Sequence, residues 1–193
     1  MRKLLARLFL RLTGWQGEGE RPTASKYVLI AAPHTSSWDL VYLLAFAAIY
    51  DLRISWMGKH TLFRPPGGWI LSRLGGIPIR RHERGNVVKR MAEAFQETEF
   101  LALVVPAEGT RARVDHWKSG FYHVARMARV PIVLGYLDYS RKRGGFGQAL
   151  LLSGDLVKDM DEIRDFYSDK VGKYPHLFGE IHLKEEELET PAA

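Results

Sequence analysis

Apolar and polar positions change period repeatedly along this chain, and each change marks an element. Residues 1–15, "MRKLLARLFLRLTGW", place Leu4, Leu5, Leu8, Phe9 and Leu12 at helical spacing, with the basic residues mostly on the other side. Thr13 and Gly14 end that pattern. "QGEGERPTAS" reads as a polar linker. "KYVLIAA" is then a strand, residues 37–50 a helix, "RISWMG" an alternating strand, "GGWILSRLG" a short helix and "GIPIR" a short strand. Over 85–99, Val87, Val88, Met91, Ala94 and Phe95 share one helical face. "FLALVVP" is a buried strand and "SGFYHVARMAR" a helix. "PIVLGYLDYS" is a strand, with "GQALLLSGDL" as its possible hairpin partner. A last amphipathic helix turns Met160, Ile163, Phe166 and Tyr167 inward, and "KEEELETPAA" reads as a frayed acidic tail.

Strands separated by helices imply an α/β fold: a single domain with a mainly parallel sheet flanked by helices, preceded by the N-terminal amphipathic helix. The expected boundaries are 1–15 for that helix, 26–183 for the domain and 184–193 for a flexible tail. A length of 193 residues suits one such domain. An apolar fraction of 46% points to a packed core rather than disorder. No stretch reaches the roughly 18 uninterrupted apolar residues of an ordinary transmembrane helix. Cysteine is absent, which excludes disulfides and thiolate catalysis and disfavours a structural zinc site.

Lys plus Arg exceed Asp plus Glu by 28 to 22, and the excess is local. Arg2, Lys3, Arg7 and Arg11 lie in the first helix; Arg80, Arg81 and Arg84 form a second cluster; Arg141, Lys142 and Arg143 form a third. Such clusters favour anionic partners, although ordinary solubilising charge accounts for any one of them equally well. The N-terminal segment lacks the uninterrupted apolar run of a signal peptide. It suits a helix lying in an anionic membrane interface; docking on the protein's own core is the alternative.

Chemistry concentrates at "AAPHTSSWDLVYLLAF", where His34 and Asp39 stand at the mouth of an apolar run. Five positions apart on a continuous helix they would diverge by about 140°. Ser36 is a natural N-cap with Asp39 three residues later, as in a capping box. His34 would then lie in the loop before the helix and curl back towards Asp39. A carboxylate holding one ring nitrogen leaves the other as a base. A surface histidine beside a capping acid fits the same residues. Ser36 and Ser37 are explained by capping, and G-x-S-x-G is absent.

A second loop follows the buried strand: Glu108, Gly109, Thr110 and Arg111. Arg111 offers a bidentate fork for a phosphate, Gly109 allows close backbone approach, and Glu108 is suited to orienting Arg111 or accepting from a hydroxyl. A polar surface turn is the bland alternative. Loops at the carboxyl ends of parallel strands are where open α/β sheets bind ligands, and both loops can open on one edge.

Together, an H-x-x-x-x-D box at His34 to Asp39, "WMGK", "GGIPIRR", an E-G-T-R box and "VPIVLGY" occur in an order that resembles the glycerolipid acyltransferase family, whose best-known members acylate lysophosphatidic acid. The resemblance runs from about Tyr27 to Tyr139. It implies that His34 is a general base, that Asp39 orients it, and that Arg111 binds the acceptor's phosphate with Glu108, Gly109 and Thr110 shaping the loop. Lys59 and Arg81 would complete the anion pocket. The donor implied is an acyl-CoA or acyl-carrier-protein thioester, and the acceptor a lysophospholipid-like alcohol. No metal and no bound cofactor are implied. The protein would sit peripherally, as a monotopic protein, on the cytoplasmic face of the membrane. Three positions depart from the family pattern: Pro33 precedes the histidine, Ala107 precedes Glu108, and Arg80 stands where an acid is usual.

Two other functions compete. Water in place of the alcohol would make a thioesterase or esterase. The basic charge with five Trp and eight Tyr also permits a nucleic-acid-binding module, but no binding signature supports it, and no nucleic-acid partner is expected. His116 and His123, seven apart and without an acid or cysteine partner at ligand spacing, read as structural.

Overall fold

The computed structural model describes residues 1–79 and 84–189. Helix α1 spans Arg2–Thr13, β1 Gln16–Glu18, β2 Lys26–Ala32, α2 Trp38–Ile49, β3 Ile54–Lys59, α3 Gly68–Arg73 and β4 Gly76–Ile79. Then come α4 Arg84–Glu97, β5 Leu101–Val105, α5 Gly120–Ala128, β6 Ile132–Asp138, β7 Arg143–Leu150, α6 Leu156–Tyr167 and the short α7 Glu186–Glu189. Seven strands form one sheet in the order β1-β7-β6-β2-β5-β3-β4. β2 lies between β5 and β6 and is parallel to both. Among the described residues only the β6–β7 pair is antiparallel. The α/β class, the single domain and the mainly parallel sheet are as the sequence implies.

The two-residue period of β2 explains its place. Val28, Ile30 and Ala32 face a core built with α4, α5 and α6, including Phe95, Phe121 and Ile163. Tyr27 and Leu29 face the opposite core, with Ala47 of α2 and with Leu52, Ile54 and Trp56. A third cluster lies outside α2, where Ala6 and Leu10 of α1 and Trp15 pack on Tyr42, Ala45, Phe46 and Ala48. α2 is therefore covered on two sides, by the sheet and by α1. That accounts for its apolar character around nearly its whole circumference.

α1 is both docked and exposed. Its buried side chains are Ala6 and Leu10, while Leu4, Leu5, Leu8 and Leu12 are 70%, 61%, 52% and 78% exposed. Gly14, at φ 76°, ends the helix with a left-handed cap that glycine adopts without strain.

Two stretches differ from the sequence expectation. The linker contains β1, which pairs in parallel with β7 as an edge strand. Three residues with every position exposed give too weak a pattern to read. The expected tail from residue 184 is packed at its start: Glu186 is buried and accepts from Arg164 at 2.6 Å, just after Leu183, which is fully buried and bridges to Trp117. Long-range pairing of this kind leaves no local signature. Residues 190–193 lie outside the described residues.

The docking of α1 predicts unequal costs along its length. Leu10→Ala should destabilise the protein by about 2–5 kcal/mol in urea unfolding. Leu5→Ala should stay within about 0.5 kcal/mol. Equal effects would contradict the docking.

Candidate active site

β2 and β5 are neighbours, so the loops leaving their carboxyl ends start side by side. The first carries His34. α2 begins at Trp38, one residue later than expected, but the capping logic holds. Ser36 Oγ accepts from the Trp38 amide at 3.2 Å, and Asp39 Oδ2 accepts from the Ser36 amide at 2.8 Å. The same Oδ2 accepts from the Thr35 amide at 2.9 Å and lies 3.2 Å from His34 Nδ1. Oδ1 accepts from the Tyr139 hydroxyl at 2.7 Å. Asp39 is buried, and its charge is matched by these donors and by the amino end of α2. A carboxylate only accepts, so a proton on His34 Nδ1 suits this approach and would leave Nε2 unprotonated towards the cavity. Burial, and then the bond to Asp39, push the Tyr139 hydroxyl well above the ordinary phenol range, so it remains a donor.

The second loop is tied to the first at two points. Glu108 Oε1 accepts from the His34 amide at 2.8 Å, and Arg111 Nη1 donates to Ser37 Oγ. Glu108 is 2% exposed, and its Oε2 has no hydrogen-bond partner among the described residues. Burial raises its carboxyl to about 7, against the lowering effect of the His34 amide. Glu108 therefore buttresses the backbone of His34 rather than pairing with Arg111. Gly109 has φ 69°, and an added Cβ there would stand 3.0 Å from Lys118 Cγ, so backbone and space both call for glycine.

A cavity of about 1050 Å³ opens over these loops. His34, Asp39, Lys59, Gly109, Thr110 and Arg111 all line it. Glu108 stands behind the wall, and Arg81 lies outside the described residues. Beyond the polar mouth the lining is apolar, with Leu40, Leu43 and Ala47 of α2 facing Leu52, Ile54 and Leu71. The arrangement sets the His34 imidazole and the cations Lys59, Arg111 and Lys118 at the mouth of a greasy recess. Sequence reasoning missed three contributors: Tyr139, a hundred residues from the carboxylate it serves; the Ser37 hydroxyl that holds Arg111; and Lys118, which also lines the cavity. Only folding brings them in.

Comparison with known proteins agrees with this layout. The model of the acyltransferase family matches residues 16–134, more than half of the chain and including both loops. The chain belongs to the acyltransferase family. The crystal structure of PlsC, the 1-acyl-sn-glycerophosphate (LPA) acyltransferase of Thermotoga maritima, shares its fold with a TM-score of 0.60 and 14% identity, over 84% of this chain and 75% of that one. No curated protein sequence matches. Tyr139 lies beyond the matched acyltransferase segment.

The buried Glu108 predicts a pH signature. Its carboxyl is raised from 4.5 to about 7 on folding, so between those values the unfolded chain loses its proton first. The stability Glu108 contributes is therefore fully present below 4.5 and falls as pH rises through 7. Relative to the wild type, Glu108→Gln should gain up to about 3 kcal/mol between pH 4 and pH 8 in urea unfolding. Parallel profiles would contradict the assignment.

Proposed function

We propose that this acyltransferase moves a fatty acyl group from a thioester of coenzyme A or acyl carrier protein to the hydroxyl of a lysophospholipid-like acceptor. The observation that carries this reading is the single cavity shared by His34, Lys59 and Arg111 above an apolar recess. His34 Nε2 takes the proton of the acceptor hydroxyl as its oxygen attacks the thioester carbonyl. The C–S bond then breaks, and the imidazolium returns the proton to the leaving thiolate. Asp39 keeps the ring in the required tautomer and balances its charge during the step. Arg111 and Lys59 suit an acceptor phosphate, Arg111 by its planar fork and Lys59 as a point charge. The recess between α2 and the sheet suits an acyl chain. The fold shared with an LPA acyltransferase supports a glycerolipid acceptor.

α1 supplies access to lipid. Among the described residues no helix is long and apolar enough to cross a membrane. The exposed Leu4, Leu5, Leu8 and Leu12, with exposed Arg2, Lys3, Arg7 and Arg11 on the same helix, suit shallow insertion among anionic head groups. The protein would thus bind peripherally.

Two outcomes test these roles. His34→Ala should lower acyl transfer from acyl-CoA to lysophosphatidic acid by about 10²- to 10⁴-fold, the range of general-base assistance, while still folding and melting cooperatively. Unchanged turnover, or thioester loss that yields only free fatty acid whether or not lysolipid is present, would refute the transfer mechanism. Replacing Leu4, Leu5 and Leu8 together by serine should abolish sedimentation with vesicles rich in phosphatidylglycerol while sparing turnover of a short-chain soluble acceptor. Retained sedimentation would refute the role of α1.

A further inference from the structure

Away from the cavity, three side chains converge where the C-terminal segment crosses the loop that leads into α5. His116 Nδ1 and His182 Nε2 are 2.9 Å apart, and Glu187 Oε1 lies 3.4 Å from the latter and 3.8 Å from the former. These atoms form a compact cluster of two imidazole nitrogens and one carboxylate oxygen. None of the three residues lines the active-site cavity.

We infer that His116, His182 and Glu187 bind a divalent transition metal of the zinc type, as a structural clamp. Zinc bonds of about 2.0–2.1 Å in a tetrahedron separate neighbouring ligand atoms by about 3.3–3.4 Å. The three observed separations bracket that spacing. Hydrogen bonding accounts for less of the cluster. One shared proton serves the two histidines at 2.9 Å, but the carboxylate at 3.4 and 3.8 Å is too far for a good hydrogen bond to either ring. A cation between the three satisfies all of them at once. Two imidazoles with one carboxylate suit zinc, whereas magnesium and calcium prefer oxygen donors alone.

The backbone holds these ligands without help from a metal. The Trp117 amide donates to His182 O at 2.8 Å, and Trp117 and Leu183, each next to a ligand, are buried and bridged in parallel. The Leu183 amide donates to Glu186 Oε1 at 2.5 Å at the start of α7, the short helix that carries Glu187. The ligand side chains are 35%, 25% and 54% exposed, which leaves room for entry and for a water as fourth ligand. A bound ion would fasten residues 182–187 to the loop that begins at Glu108 and carries Arg111.

Melting curves and calorimetric titration of the untagged, chelator-stripped full chain test this directly, with no readout from acyl transfer. One Zn²⁺ should bind per chain. At a hundredfold excess over its Kd, ZnCl2 should raise the melting temperature by roughly 5–10 °C, and MgCl2 should not. His182→Ala and Glu187→Gln should melt cooperatively without metal, His182→Ala should lose the zinc-dependent rise, and Glu187→Gln should reduce it. No zinc-dependent rise in the wild type, an equal rise in both variants, or an equal rise with magnesium would overturn the site.

Discussion

The whole site depends on one buried carboxylate. Asp39 sits at the start of α2 with both oxygens withdrawn from water, so every lone pair needs a donor. It finds them in the amides of Thr35 and Ser36 and in the Tyr139 hydroxyl, with the His34 ring 3.2 Å away. Those four contacts dictate the path of the chain from β2 into α2. A charged acceptor held by two amides cannot turn without stranding them, and the imidazole is fixed along with it. The orientation of the His34 ring is thus a consequence of satisfying a buried anion.

The sheet supplies the second constraint. Because β5 runs beside β2, the Glu108 loop emerges against the His34 loop and grips it by the backbone. Glu108 gains one good bond and leaves its other oxygen buried without a partner among the described residues, and burial raises its carboxyl to about 7. Arg111 is meanwhile held over the helix start by Ser37. The His34 imidazole and the Arg111 guanidinium therefore share one frame rather than two independent loops. α2 links this frame to the rest of the molecule, since its sheet-facing side forms the apolar recess and its outer side seats α1.

Local physics was legible in the chain and long-range pairing was not. The β2 segment declared itself as an apolar run of strand length, and the Ser36–Asp39 spacing announced a capping box that also explains why His34 can curl back. The order of the boxes around His34 and Glu108 indicated the family before any geometry. Tyr139, the Ser37–Arg111 bond and the packing of residues 183–187 depend on contacts across the sheet or between distant segments. α1 was read as a choice between membrane and core, yet the helix has apolar residues on two sides: Ala6 and Leu10 go to the core, and Leu4, Leu5, Leu8 and Leu12 to solvent. Counting one stripe concealed the other. His116 comes to lie beside Glu187, 71 positions away in sequence, only through folding.

The most direct test of the central claim is the tautomer of His34, read by ¹⁵N NMR of histidine-labelled protein at a pH where the ring is neutral. The wild type should show the proton on Nδ1, with Nε2 unprotonated, and Asp39→Asn should lose that preference. A wild-type ring protonated on Nε2, or a spectrum that Asp39→Asn leaves unchanged, would contradict the account.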